Sequence, residues 1–177
     1  MAGLRRRSRH YLLILLAATP ARGQERPAGA EVGIDASIGF LSTNAVPDVR
    51  GTSINAHGGW ELRLGIAPEL EFGFASFNSG PVDEGVSWFM AGARYSGEIG
   101  WFAFFAQAHA GYGHLTNYNI VRDDLAWDFA GGFLMRATND VSFGPRFGTR
   151  YIDAFVPAGG STLWYELGVS LQLTLRP

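Results

Sequence analysis

Two residue types are missing from this 177-residue sequence, and each absence narrows what the protein can do. There is no cysteine, so disulfides, thiol chemistry and a lipid anchor on cysteine are all excluded. There is no lysine either, and every basic residue is an arginine. Long apolar runs are also lacking, because no stretch beyond the N-terminal segment resembles the roughly 20 apolar residues of a membrane-spanning helix.

The N-terminal segment has the composition of an export signal. Four arginines within residues 5–9 precede an apolar run over 11–18, which is too short to cross a bilayer. Residues 21–23, Ala-Arg-Gly, fit a cleavage site between small residues. We therefore predict a cleaved signal peptide over residues 1–23, a short linker over 24–30 and one domain over 31–176. An uncleaved anchor is the alternative.

Positive charge is scarce once this segment is removed. Residues 1–23 hold five arginines and no acid, so the mature chain keeps nine arginines against 16 acidic residues, a net charge of −7. An acidic chain without a basic patch argues against a nucleic-acid partner.

What the sequence has in abundance is glycine, with 24 copies, and alternation of apolar with polar or small residues. From Leu163 to Leu175 every odd position is apolar. A period of two places the two sets on opposite faces of a β-strand, and the run is longer than the roughly 4–8 residues of an ordinary half-buried strand. The same alternation predicts eight strands, at 31–42, 53–66, 68–77, 86–95, 101–115, 125–137, 141–152 and 162–175.

The connections between these strands carry a second signal. Short connections are predicted at 67–68, 96–100 and 138–140, and they alternate with long ones at 43–52, 77–85, 116–124 and 153–161. Outer-membrane barrels combine short periplasmic turns with longer extracellular loops. An even number of strands then places both chain termini in the periplasm.

The chemistry of the two strand faces distinguishes a membrane barrel from a soluble one. The apolar face is rich in aromatic residues towards the strand ends, and the other face is rich in glycine and isolated charges. A soluble lipocalin-like barrel would point its apolar face inward, whereas a membrane barrel points it at lipid. We predict an all-β, eight-stranded, antiparallel up-and-down transmembrane β-barrel.

Three segments carry a resemblance to a known family: Phe89–Tyr95 (FMAGARY), Asp128–Arg136 (DFAGGFLMR) and Phe147–Asp153 (FGTRYID). In these strands the chain resembles the small eight-stranded outer-membrane barrels of the OmpA/OmpX type and the porin-family group, over about residues 30–176. The resemblance implies a place in the outer membrane of a Gram-negative cell envelope. It also implies outer-membrane lipids, lipopolysaccharide and the barrel assembly machinery as partners, and no cofactor.

The polar faces predict a lumen filled with charged side chains. An eight-stranded barrel has an interior just wide enough for side chains, so inward charges should pair through bidentate arginine–carboxylate contacts. A structural plug of salt bridges is the favoured interpretation, and a charged gate or ion path is the alternative. The predicted charge network consists of Asp35, Glu61, Arg63, Glu69, Glu71, Arg94, Asp128, Arg136, Arg146, Arg150 and Glu166.

The histidines are the remaining candidates for chemistry. His57 and His109 are predicted to face the lumen, and His114 to lie near the outer end of the fifth strand. Some barrels of this kind are lipid-modifying enzymes with a His-x-Ser arrangement. Here Leu115 and Thr116 follow His114, and no serine near His57 or His109 in sequence completes a triad. Metal-ligand spacing is absent as well. We therefore expect neither a catalytic nor a metal site.

These observations favour a non-enzymatic barrel with a structural or surface-interaction role through four extracellular loops. A narrow pore for ions or small solutes, a lipid-modifying barrel enzyme and a soluble carrier are the alternatives. The predicted loops hold acidic residues, which are typical of a solvated surface and capable of contacting divalent cations or lipopolysaccharide through them. These residues are Asp48, Asp83, Glu84, Asp123 and Asp124.

Overall fold

The protein is a closed barrel of eight antiparallel strands. The computed structural model describes residues 29–42, 49–62, 64–78, 83–117, 120–152 and 162–175. Each strand pairs with its neighbours in sequence, and the last pairs with the first, which closes the barrel. The strands are β1 Gly29–Ser42, β2 Val49–Glu61, β3 Ile66–Asn78, β4 Asp83–Ile99, β5 Phe102–Asn117, β6 Ile120–Arg136, β7 Val141–Ile152 and β8 Thr162–Leu175. In this part of the chain, no helix has the length and apolar character needed to cross a bilayer.

The barrel has two distinct ends. The terminal end holds the start of β1, the end of β8 and the turns at 62–65, 100–101 and 137–140. At the loop end β1, β3, β5 and β7 end and β2, β4, β6 and β8 begin. Gly65 and Gly100 lie in terminal-end turns with φ angles of 74° and 64°, a conformation that glycine adopts without steric cost. The predicted signal peptide over 1–23 lies outside the described residues.

The turn between β2 and β3 differs from the prediction. It lies at 62–65, so the predicted connection at 67–68 is wrong and both of those residues belong to β3. The backbone N–H of Leu62 donates to the Ile66 carbonyl at 2.8 Å, and that of Gly65 donates to the Leu62 carbonyl at 3.0 Å. Gly65 supplies the positive φ that the turn requires, whereas Pro68 is tolerated inside the strand.

The hairpin of β5 and β6 is also longer than predicted. Its strands continue to Asn117 and from Ile120, so the long connection predicted over 116–124 is wrong. Connection lengths therefore do not alternate strictly between the two ends. The polar residues in this stretch suggested a loop. Beyond the hydrocarbon layer both faces of a hairpin meet water, and a strand there needs no apolar face.

Pro145 interrupts the hydrogen-bond ladder between β6 and β7 without changing the pairing register. The pairing of β6 with β7 runs to Gly132 opposite Arg146 and resumes at Met135 opposite Phe143, with no inserted residue. On the other side, Pro145 keeps its place opposite Val169 in β8. A proline lacks the backbone N–H that a ladder needs, and this explains the local break.

The two faces of the strands have opposite chemistry. Every strand carries exposed apolar residues on its outward face, for example Phe72 at 58% and Leu167 at 54% exposed, whereas inward residues such as Asp35 are fully buried. So much exposed apolar surface suits hydrocarbon rather than water. The predicted eight-stranded antiparallel barrel is confirmed, with its apolar face outward.

Candidate functional site

The loop end of the lumen is closed by buried apolar side chains, which we call the apolar cap. The rings of Phe77 and Trp164 meet edge to face with centroids 4.1 Å apart. Gly39 makes room for this indole, since a Cβ there would lie 1.5 Å from Trp164 Nε1. The cap consists of Ala75, Phe77, Val86, Trp88, Met90, Leu115, Ala126, Ile152 and Trp164.

Two arginines of β7 form the centre of the lumen below the cap. Arg150 contacts Glu166 Oε1 through Nη1 at 2.9 Å and Glu71 Oε1 through Nη2 at 2.8 Å. Arg146 contacts Glu166 Oε2 through Nη1 at 2.5 Å and Asp35 Oδ2 through Nε at 3.2 Å. Each guanidinium therefore bridges different carboxylates, rather than forming the bidentate fork that the sequence predicted. Glu166 joins the two arginines through its two oxygens.

Trp88 connects the apolar cap to these charges. Its indole Nε1 donates a hydrogen bond to Glu71 Oε1 at 2.8 Å. The guanidinium carbon of Arg150 lies 3.8 Å from the centroid of the Trp88 ring, a cation–π geometry. Trp88 thus belongs to the apolar cap and contacts the ionic network, so the two layers are in direct contact.

Two histidines continue the network towards the terminal end. His57 lies between Asp35, at 3.6 Å, and Glu69, at 3.4 Å. His109 contacts Glu69 at 3.3 Å and Asp128 at 2.9 Å. The sequence predicted that both rings face the lumen but did not include them in the charge network. The structure places His57 between carboxylates of its two neighbouring strands, β1 and β3. It places His109 between Asp128 on the neighbouring β6 and Glu69 on β3, two strands away.

Arg94 closes the network on the side of β4. Its Nη2 donates to Gln172 Oε1 at 2.8 Å, and its Nη1 lies 3.8 Å from Glu69 Oε1. The guanidinium also stacks on the Phe105 ring at 4.0 Å. Arg94 is fully buried, and planar stacking on one face with hydrogen bonding at the edge suits a guanidinium in such a place.

The charges of this central network nearly cancel. Its described members are five carboxylates, three guanidiniums and two imidazoles, so their sum is −2 with neutral imidazoles and zero with both protonated. Buried carboxylates without such partners would be costly. The network consists of Asp35, His57, Glu69, Glu71, Arg94, His109, Asp128, Arg146, Arg150 and Glu166.

The remaining predicted site residues lie elsewhere. Arg136 pairs with Glu98 at the terminal end, where both side chains are about one-third exposed, so it does not join the central network as predicted. Glu61 is buried and lines a cavity of about 30 Å³ at the same end. This volume has room for ordered water. Arg63 lies outside the described residues.

One group of side chains has the ligand types of a metal site. Oxygen and nitrogen atoms of Glu71, His109 and Asp128 lie within 4.8 Å of one another. However, Arg150 and Arg146 already contact these two carboxylates, at 2.8 and 3.4 Å. Guanidiniums in these positions supply the positive charge that a cation would bring. The arrangement therefore fits an internal ion-pair cluster better than a metal centre.

This architecture defines a class of protein. A closed eight-stranded barrel with an apolar exterior and a lumen filled by side chains is the construction of small outer-membrane barrels. No protein-family model matches the sequence, and no curated protein matches it.

Solved structures of that class superpose on the chain. Neisserial surface protein A matches with a TM-score of 0.69 and 14% identity, covering 84% of this chain and 99% of that one. Ail, the attachment invasion locus protein of Yersinia pestis, in complex with the heparin analogue sucrose octasulfate, matches at 0.52 and 12%, covering 84% and 100%. The outer membrane enzyme PagL matches at 0.54 and 13%, covering 78% and 97%. At these identities the likeness shows the fold alone, and it confirms the predicted resemblance to small outer-membrane barrels.

Proposed function

We propose that the protein is an outer-membrane barrel with a sealed lumen, whose biological contacts are made by its loop end and outer surface. The observation that carries this proposal is the continuous filling of the lumen. The apolar cap lies directly on the ionic network, and Trp88 belongs to both. Arg146 and Arg150 have no exposed surface at all. A path for ions would have to cross both layers.

The same filling supports a non-enzymatic interior. Two hydroxyls near the buried Glu166 are those of Ser37 and Ser53, which lie 2.6 Å apart. Ser53 also contacts Glu166 Oε1 at 3.4 Å. Both serines are only 7% exposed. A substrate could reach these hydroxyls only by displacing the plug, so their role is to satisfy Glu166.

The two ends of the barrel suggest its orientation. We assign the terminal end to the periplasm and the loop end to the cell surface, because short turns face the periplasm in outer-membrane barrels. Outer-membrane lipids, lipopolysaccharide and, during biogenesis, the barrel assembly machinery are the partners that follow. The sequence of the loop end is rich in Asp and Glu. This composition gives no support to a sulfated ligand like the heparin analogue bound by Ail.

Conductance in planar bilayers tests the sealed lumen. We expect refolded wild-type protein to give no steady conductance steps. Trp88→Ala combined with Trp164→Ala should produce transient conductance, because both indoles fill the upper lumen. Phe72→Ala is the matched control, since it removes an aromatic ring from the outward face and should leave the barrel closed. A large, steady conductance of the wild-type protein would contradict the sealed lumen and indicate a pore.

Cell fractionation tests the location separately. The mature chain should sediment with the outer membrane and resist extraction by salt or alkali. Recovery of folded, monodisperse protein from the soluble periplasm without detergent would contradict the proposal, since the exposed apolar face could not then be in lipid.

A further inference from the structure

Acids and bases alternate along one part of the central network. Starting from β1, Asp35 lies 3.6 Å from His57 on β2, which lies 3.4 Å from Glu69 on β3. Glu69 also lies 3.3 Å from His109 on β5, and His109 lies 2.9 Å from Asp128 on β6. Each imidazole therefore joins two carboxylates, and Glu69 is shared by both imidazoles.

Arg146 on β7 closes this chain of contacts into a cycle. Its Nε lies 3.2 Å from Asp35 Oδ2, and its Nη2 lies 3.4 Å from Asp128 Oδ2. Every member is at most 3% exposed, so the contacts are made away from bulk water. We call this set the ion-pair cycle, and it consists of Asp35, His57, Glu69, His109, Asp128 and Arg146.

Both nitrogen atoms of each imidazole face carboxylate oxygens. In His57, Nε2 faces Asp35 and Nδ1 faces Glu69. In His109, Nδ1 faces Asp128 and Nε2 faces Glu69. A neutral imidazole has an N–H on one nitrogen and a lone pair on the other, whereas an imidazolium has an N–H on both. A neutral imidazole would therefore point a lone pair at a carboxylate in either tautomer, and only the imidazolium matches both neighbours.

Glycines on neighbouring strands fix the places of the two imidazoles. A Cβ at Gly33 on β1 would overlap His57 Nε2, and a Cβ at Gly92 on β4 would overlap the His109 ring. Each imidazole thus occupies space that a side chain at the glycine would fill. The positions of both histidines between their carboxylates are therefore built into the packing of the lumen.

The sum of the surrounding charges depends on these two protons. With both imidazoles protonated the ion-pair cycle holds three positive and three negative charges, whereas with both neutral its sum is −2. The other charged side chains that surround it, among the described residues, are Glu71 on β3, Arg94 on β4, Arg150 on β7 and Glu166 on β8. These four sum to zero, so they do not replace the missing positive charge. Glu71 lies 3.7 Å from His109 and adds to the negative charge around that imidazole.

We propose that His57 and His109 are both imidazoliums in the folded barrel, and that loss of their protons at alkaline pH loosens the ionic network. This inference rests on the sealed lumen proposed above and adds its control by pH. Deprotonation would place lone pairs against buried carboxylates and leave Glu69 with weakened contacts on both sides. The apolar cap has no titratable side chain, so the change is confined to the ionic layer.

The composition of the chain makes this response simple to isolate. There is no lysine and no cysteine, and tyrosine ordinarily titrates only near about pH 10. His114 provides the matched control among the histidines. Its side chain is 46% exposed, and its Nδ1 lies 2.5 Å from Asp123, so it is a surface imidazole paired with one carboxylate outside the ionic network.

Urea unfolding in lipid vesicles at pH 7, 8 and 9 tests the role of the two protons. The unfolding equilibrium constant of the wild type should rise with pH by up to about tenfold per pH unit for each imidazole that holds its proton only in the folded state. His57→Gln combined with His109→Gln should be less stable at pH 7 and lose this dependence, whereas His114→Gln should keep it. Glu69→Gln should weaken the dependence, because the carboxylate shared by both imidazoles is gone. Heat-modifiable gel mobility shows that each variant is folded.

Nitrogen-15 spectra of histidine-labelled protein at pH 7 measure the protonation state directly, without any variant that must fold. Both His57 and His109 should show two protonated nitrogens. A neutral imidazole at either position would overturn the proposal. Wild-type stability that is independent of pH between 7 and 9 would overturn it as well.

Conductance separates this inference from the sealed lumen on which it rests. Steady wild-type conductance at pH 7 would contradict the sealed lumen itself. With the wild type closed at pH 7, the variant Trp88→Ala combined with Trp164→Ala leaves the ionic network as the main barrier. This variant should be open for a larger fraction of the time at pH 9 than at pH 7. Equal open fractions at the two pH values would overturn the control by pH and leave the sealed lumen standing.

Discussion

Replacing Arg150 by methionine tests the ionic network most sharply. Methionine keeps much of the volume of the side chain but removes its charge and its donors. In the wild type Arg150 contacts Glu166 and Glu71 at 2.9 and 2.8 Å and stacks on Trp88 at 3.8 Å. Its Nη2 also lies 3.7 Å from Asp128 Oδ2, so removing it leaves three buried carboxylates with fewer partners.

The size of the loss in unfolding free energy depends on the partners that those carboxylates keep. Breaking a fully buried ion pair costs about 3–5 kcal/mol. Glu166 still has Arg146 at 2.5 Å, and Glu71 still accepts the Trp88 indole N–H, so the electrostatic loss should fall near 3 kcal/mol. Loss of the desolvated cation–π contact adds up to about 2 kcal/mol. We therefore expect Arg150→Met to lower the free energy of unfolding by about 3–5 kcal/mol.

Urea unfolding in lipid vesicles, followed by tryptophan fluorescence, measures this loss. Arg136→Met is the matched control, because Arg136 pairs with Glu98, both side chains are about one-third exposed, and the change should cost no more than about 1 kcal/mol. Combining Arg150→Met with Glu166→Gln should cost less than the sum of the single changes, because the two residues share a contact. Equal losses for Arg150→Met and Arg136→Met, or strict additivity in the double variant, would refute the reasoning.

Three further changes test other parts of the structure. Leu167→Arg should cost about 2–4 kcal/mol in a bilayer if the residue lies near the midplane, and its tolerance in a lipid-refolding assay would show that the faces are reversed. Trp164→Ala should cost about 3–5 kcal/mol in urea unfolding because it empties the apolar cap, whereas a neutral result would place the indole outside a packed site. Gly92→Ala should cost about 1–3 kcal/mol, since its Cβ would lie 2.0 Å from the Ala108 carbonyl, while Gly58→Ala, with 3.6 Å to its nearest contact, should be nearly neutral. Equal stability of the two alanine variants would contradict the packing described for Gly92.

The alternation of the sequence predicts most of the barrel because lipid imposes a strict rule. Each lipid-facing position must be apolar, as along β8, whereas inward positions can be polar. The rule lapses beyond the hydrocarbon layer. For this reason the sequence predicts a loop where β5 ends and β6 begins. It also predicts the turn between β2 and β3 at 67–68, a few residues after its actual position at Gly65.

The candidate site was predictable only in part. That Arg150 should contact Glu166 follows from their neighbouring strands, and the structure places them 2.9 Å apart. The contact of Arg150 with Glu71 crosses the lumen from β7 to β3, so it depends on closure and side-chain reach that alternation does not specify. The apolar cap escaped prediction because inward apolar residues such as Leu115 near the loop end look like any other hydrophobic residue in sequence.

Spin labels placed along β8 test the central claim of a lipid-facing apolar surface around a sealed lumen. The chain has no native cysteine, so single cysteines can be introduced at each position from 166 to 173 without interference. The structure predicts that labels at 167, 169, 171 and 173 are accessible to oxygen in the bilayer, while labels at 166 and 170 are shielded from both oxygen and a water-soluble nickel complex. Nickel access at the odd positions would mean that this face is in water. Nickel access at 166 and 170 would mean that the lumen is open.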